Sequence, residues 1–152
     1  MRFLFAPLAL AMLLFSCQNQ SAPSVSTAQS DTATTGEVPA DFEAFYQRFL
    51  SDSLFQMSHI VWPLQGTRLE TQADSSASQL QQHNWTPEDW IMHRPVDYSE
   101  GYYTRELEVL GDVIIMERIR VKAANYGIER RFARQPDTNE WALIFYSSIR
   151  EM

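Results

Sequence analysis

Disulfides are out of reach for this chain, because Cys17 is its only cysteine. Histidine is scarce too: His59, His83 and His93 are the whole supply, which is little material for a metal centre. Basic residues are outnumbered, with 12 Lys and Arg against 19 Asp and Glu and a net charge of −7. That balance argues against a nucleic-acid partner. No apolar run after Phe15 is long enough to span a bilayer as a helix. No internal repeat, phosphate-cradling glycine loop or Ser- or Cys-centred nucleophile motif stands out.

What is present begins at the N-terminus. Met1-Arg2 supplies a small positive charge, and Phe3 to Phe15 is an apolar run broken only by Pro7. Its length suits the core of a signal peptide rather than a membrane span. Leu14-Phe15-Ser16-Cys17 then resembles the bacterial lipobox, with Phe15 bulkier than usual at its position. The resemblance implies cleavage after Ser16 and lipid attachment at Cys17. An ordinary secretory signal, or a buried Cys in a soluble protein, is the alternative. Each buried CH₂ contributes about 0.8 kcal/mol, so two or three acyl chains would anchor the body without crossing the membrane. Loss of Arg2 would leave 11 basic and 19 acidic residues, a net of −8.

Residues 18–38 are mainly Ser, Thr, Ala and Gln and carry no aromatic. Such a stretch buries too little apolar surface to offset its ordering entropy and reads as a disordered tether. The boundaries expected are a signal over 1–16, lipidated Cys and tether over 17–38, and one domain over 39–152, an ordinary size for a single domain.

Within the domain, Phe42, Phe45, Tyr46 and Phe49 recur at helical spacing over Asp41–Leu50. The stripe reads as a core face, with an aromatic ligand box as the alternative. Ser51-Asp52-Ser53 interrupts it with capping residues, and a short helix from Leu54 to about Ser58 follows. His59–Leu64 reads as a strand, at a sheet edge or ending at Pro63, which cannot donate to a ladder. Thr67–Thr71 continues it, and Asp74–Gln82 reads as a polar loop. Thr86-Pro87-Glu88-Asp89 is a helix-start signal, predicting a short helix through Trp90 and Ile91 that ends before Pro95. Alternation then predicts four strands: Tyr102–Val109, Val113–Val121, Tyr126–Arg134 and Trp141–Ile149. Helices followed by a meander give an α+β domain, a curved antiparallel sheet packed against N-terminal helices.

Phe42, Phe45 and Phe49, with "SDSLFQMSHIVWPLQG", "WTPEDW" and "WALIFYSSI", make the mature chain similar to an uncharacterised family of small bacterial lipoproteins, domain of unknown function 4348. The resemblance implies a cystatin-like or nuclear transport factor 2-like cone, also the fold of ketosteroid isomerases. That fold hosts both enzymes and binding modules.

Three sets of residues are site candidates. In the hairpin around Leu110-Gly111-Asp112, a three-residue loop sets Val109 against Val113, Leu107 against Ile115 and Arg105 against Glu117. A two-residue turn would oppose Arg105 to Arg118 and Glu106 to Glu117, which is unfavourable. The first register puts Arg105, Glu117 and Tyr103 on the concave face, as a structural ion pair or as a ligand-binding set. A second set is Arg118, Arg120 and Lys122, with Arg130 and Arg134 on a nearby strand. It reads as an anion-binding ladder, or as a solvated outer face balanced by Glu106 and Glu108. The third is Asp89 with His93, four apart on the expected helix, which could share a metal but lacks a second ligand pair. Glu117 is the one acid in position to act as a base, and Arg105 would lower its pKa. No cofactor is expected. The function expected is a membrane-tethered binding or interaction module for an unknown small-molecule or protein partner. A small isomerase or hydrolase using the cone, and a subunit that pairs sheet to sheet as a homodimer, are alternatives.

Overall fold

The aromatic stripe is the organising surface of the domain. In the computed structural model, which describes residues 32–71, 78–111 and 113–150, helix α1 (Ala40–Ser51) buries Phe42, Tyr46 and Phe49 against a sheet. Phe132 meets the rings of Phe42 and Phe49 edge-on, and Trp141 meets Phe42 in the same way. Each fully buried side chain of this kind contributes about 1.5–3 kcal/mol. Asp52 ends α1 and accepts a hydrogen bond from the Phe55 N–H, capping α2 (Ser53–Ser58) as the sequence predicts.

The strands are β1 (Thr32–Thr35), β2 (Ile60–Thr71), β3 (Ser78–Trp85), β4 (Tyr103–Leu110), β5 (Ile114–Val121), β6 (Tyr126–Arg134) and β7 (Trp141–Arg150). They form one curved sheet in the order β1-β4-β5-β6-β7-β2-β3. The meander β4–β7 is antiparallel and matches the predicted strands to within a residue or two. The sheet is not purely antiparallel: β1 runs parallel to β4, and β2 runs parallel to β7.

Four expectations need correction. The unstructured stretch expected over 18–38 includes β1, whose backbone pairs with the edge that β4 presents. The signal, Cys17 and the tether as far as residue 31 lie outside the described residues. β2 is not an edge strand, because it lies between β7 and β3. Pro63 is tolerated there because its pairing with β7 shifts register between Ile60 and Gln65, and pairing with β3 begins only at Leu64. Part of the expected polar loop is β3, the other edge, most of whose side chains face solvent; residues 72–77 lie outside the described residues. Finally, Thr86–Asp89 forms only a turn. Asp89 Oδ1 does accept from the Thr86 N–H at 2.6 Å, as a capping acid would. The chain then runs irregularly because the His93 N–H and C=O bond the side chain of Gln56, at 2.8 and 3.0 Å, instead of a helix. Gln56 also donates to Phe49 O and accepts from Trp90 Nε1. All four of its hydrogen-bond positions are filled, so one buried amide ties residues 90–93 to the helices.

The β4–β5 register differs from both candidates. The loop is Gly111–Val113, with Leu110 opposite Ile114, Leu107 opposite Glu117 and Arg105 opposite Ile119. Gly111 takes a φ of +61°, which favours glycine. This register also sets Glu106 directly across from Arg118 on the outer face. Relative to the expected register the shift is two residues, so every side chain keeps its face.

Candidate functional site

A network of buried charge occupies the concave face. Glu117 is fully buried on β5, and its carboxylate accepts three hydrogen bonds. Arg105 Nε on β4 donates to Oε1 at 2.6 Å, and Tyr46 on α1 donates to the same oxygen at 2.6 Å. Arg130 Nε on β6 donates to Oε2 at 2.7 Å. Arg105 and Glu117 are diagonal neighbours across the two strands, close enough for an ion pair. Arg130 stands directly opposite Glu117. Its Nη2 donates to the Tyr46 hydroxyl at 2.9 Å, and its Nη1 donates to His93 Nδ1 at 3.2 Å. The Arg105 guanidinium also lies 4.3 Å over the Tyr46 ring.

Electrostatics follow from this geometry. Burial alone would raise the Glu117 pKa, but Arg130, Arg105 and the Tyr46 hydrogen bond outweigh it and hold the carboxyl below its ordinary value. His93 is pushed down to about 3 by burial and by Arg130. An arginine only donates, so His93 Nδ1 is the acceptor and the ring is neutral. Burial pushes the Tyr46 phenol far up, and the Tyr98 phenol up to about 12 with Glu117 adding to the effect. Glu117 is thus a fixed anion with no exposed surface, unsuited to taking a proton from a substrate.

A cleft adjoins this network on the same face. Its volume is about 460 Å³. The floor is Ile119 and Val121 of β5 and Gly127 and Ile128 of β6, and Tyr103 and Tyr126 flank it. The segment 94–97 forms the opposite wall, with Pro95 and Val96 apolar and Arg94 and Asp97 polar. Arg105 is paired with Ile119 across the strands, and Tyr98 follows Asp97 in the chain. Both neighbour lining residues, and neither lines the cleft itself.

The structure brings Arg105 and Glu117 together and sets Tyr103 two residues away, at the cleft. It divides the basic ladder. Arg118 and Arg120 lie on the outer face in ion pairs with Glu108, Glu129 and Glu106, and Lys122 is exposed in the turn after β5. Arg130 points the other way, into the network. Strand alternation carried that signal: Ile128, Arg130 and Phe132 share one face of β6, so an arginine there faces inward. Asp89 pairs with His83 at 3.3 Å rather than with His93. Among the described residues no group of three or more His, Cys, Asp or Glu is placed to hold a metal. Tyr46 reads in sequence only as one more core aromatic, His93 only as a spacing partner of Asp89, and nothing local marks Gln56 or Tyr98.

The chain matches no protein-family model and no curated protein. Solved structures do match. One is a cystatin-like protein from Bacteroides caccae, 19% identical, with 76% of this chain and 78% of that chain covered and a TM-score of 0.51. Another is a nuclear transport factor 2-like protein from Bacteroides fragilis, 17% identical, with 77% of this chain covered and a TM-score of 0.54. The aligned part spans half of that second chain. The fold is cystatin-like and nuclear transport factor 2-like. At these identities the likeness establishes architecture alone, and the chemistry of the concave face has to be argued from its own residues.

Proposed function

We propose that this chain is a lipid-anchored envelope protein, of the small-lipoprotein kind its sequence resembles, that holds a small and largely apolar molecule in the concave cleft. The observation that carries the binding role is the cleft itself. About 460 Å³ falls within the usual range for small-molecule sites, roughly 300–1,000 Å³. Five of its ten lining residues are aliphatic, and tyrosine, Arg94 and Asp97 supply a few polar groups. The anchor rests on the apolar leader ending at Cys17. A catalytic reading is less well supported, since Glu117 is locked between two guanidiniums and away from the cleft lining.

Two measurements test the proposal. Mass spectrometry of material co-purifying with the full chain from its own host should find a small molecule that a cleft-filling Ile128→Trp variant no longer carries. An identical profile from both proteins would remove the binding role. Separately, Cys17→Ser should shift the protein from the membrane to the soluble fraction, and unchanged partitioning would remove the acyl anchor.

A further inference from the structure

The register of β1 fixes where the chain enters the domain. β1 runs parallel to β4, with Thr32 beside Arg105 and Thr35 beside Glu108. It therefore starts toward the end of the sheet where β4 starts, at Tyr103, and runs toward the hairpin tip. That first end is a row of strand termini. Tyr103 pairs with Val121, Val121 with Tyr126, and Tyr126 with Arg150. The Lys122 N–H donates to the Tyr102 carbonyl at 2.9 Å, which joins the chain before β4 to the turn after β5. Tyr102, Tyr103 and Tyr126 are 61%, 37% and 47% exposed, so three large rings on adjoining strand ends meet solvent. Tyr103 and Tyr126 also line the cleft and stand at its open rim. Among the described residues, Arg94, Lys122 and Arg150 stand at this end against Asp97 and Glu100, in a chain whose net charge is −7.

We propose that this end of the sheet rests on the lipid surface, with Tyr102, Tyr103 and Tyr126 at the headgroup level and the mouth of the cleft opening onto the bilayer. Tyrosine suits that level, because its ring is apolar and its hydroxyl stays hydrated. The distance to the anchor supports the same end. Fifteen residues separate Cys17 from Thr32, and a coil of the kind their polar composition predicts reaches about 20 Å on average. Counted along β4 from Arg105, Tyr103 is two residues away and Leu110 at the hairpin tip is five, about 7 Å against about 17 Å in the opposite direction. The tyrosine row is thus the end that a tether of this length brings to the membrane first. A molecule in the cleft then exchanges with the lipid phase, which suits an apolar ligand. The proposal rests on the acyl anchor at Cys17 and adds which part of the domain meets the bilayer.

The test uses the full chain as recovered from cells, placed in phosphatidylcholine nanodiscs that carry a lipid with a nitroxide headgroup, with nitroxide-free discs as the blank. Acylation leaves Cys17 without a thiol, so one added Cys is the only site for a bimane fluorophore. Ala124→Cys lies in the turn before Tyr126 and Val113→Cys at the opposite hairpin tip, and both positions are exposed. Bimane on the Ala124→Cys variant should lose most of its emission to the nitroxide, and bimane on the Val113→Cys variant should keep nearly all of it. Adding Tyr102→Ser and Tyr126→Ser removes two exposed rings from outside the buried core and should bring the first loss down to the second. Equal losses at the two sites, a larger loss at the tip, or a contrast that survives both tyrosine changes would overturn the docking surface while leaving the anchor in place. The chain with no added Cys should take no bimane and stay with the disc. Labelling at Cys17 itself, or release from the disc, would overturn the anchor and the docking surface with it.

Discussion

Replacing Glu117 with Gln tests the buried network most directly. The substitution keeps the shape of the side chain and removes one charge. Three donors now converge on that carboxylate: Arg105 Nε at 2.6 Å, Tyr46 Oη at 2.6 Å and Arg130 Nε at 2.7 Å. In the variant, two guanidiniums remain buried with no anion between them, and the new NH₂ group faces donors. Breaking a buried, hydrogen-bonded ion pair costs about 3–5 kcal/mol. For a domain of this size each kcal/mol lowers Tm by roughly 4 °C, so a fall of about 12–20 °C is expected. Urea unfolding followed by fluorescence of the four tryptophans gives the free energy directly. A loss below about 1 kcal/mol would refute the reasoning, since no desolvated and tightly coupled carboxylate behaves that way. The combined variant Tyr46→Phe, Arg105→Met, Glu117→Leu, Arg130→Met separates geometry from charge. It should recover most of the loss, because well-packed apolar groups often replace a buried ion network without penalty. The pH dependence has a definite sign. The folded pKa of Glu117 is depressed, so its contribution is complete above the ordinary value of 4.5 and is lost as pH falls through the lower, folded value.

Two further variants probe the surroundings of the network. Unfolded, His93 takes up a proton below its ordinary 6.5, whereas folded it resists until about 3. Its contribution is therefore complete above 6.5 and declines as pH falls toward 3, by about 2 kcal/mol at pH 5. His93→Gln keeps an acceptor for Arg130 and should flatten the stability profile between pH 5 and 6.5; a retained slope would assign that titration elsewhere. Gly66→Ala should cost about 3 kcal/mol or more in the same urea assay, because the new Cβ would be driven into the Tyr146 carbonyl oxygen and force β2 from β7. A stability change under about 1 kcal/mol would mean the two strands separate more easily than their pairing implies.

Period-2 and period-3.6 patterns made most of the fold legible. The aromatic stripe of α1 and the four strands of the meander announce themselves through apolar residues that recur at the period of their element, although β6 and β7 are partly buried on both faces. β3 was opaque for the opposite reason. As an edge strand with most of its side chains in solvent, Ser78–Trp85 has no face on which apolar residues must alternate. The Thr86–Asp89 signal misled because helix-start residues satisfy a turn equally well. Whether a helix continues is decided by a competitor, here Gln56, more than 30 residues earlier in the chain. β2 carries proline in its interior without being an edge, since its pairing with β7 skips from Ile60 to Gln65 and its pairing with β3 begins only at Leu64.

The concave site divided along the same line. The Arg105–Glu117 pair was legible because face parity survives a register error of two residues, whereas an error of one would have turned both side chains to solvent. Membership of the network was not, because Tyr46 looks like a core aromatic until the helix is laid on the sheet, and Arg130 reads with the outer basic ladder unless its strand parity is followed. Once it is, the three sources of the network differ in kind. Strand alternation aims Arg105, Glu117 and Arg130 inward, helical spacing aims Tyr46 down at them, and an irregular segment delivers His93 and Tyr98. Only the last is held by side-chain hydrogen bonds, through Gln56. That segment also forms one wall of the cleft. The sheet thus fixes the charge, while the segment that walls the cleft is tied at residues 90–93 by one buried amide and by the Arg130–His93 bond.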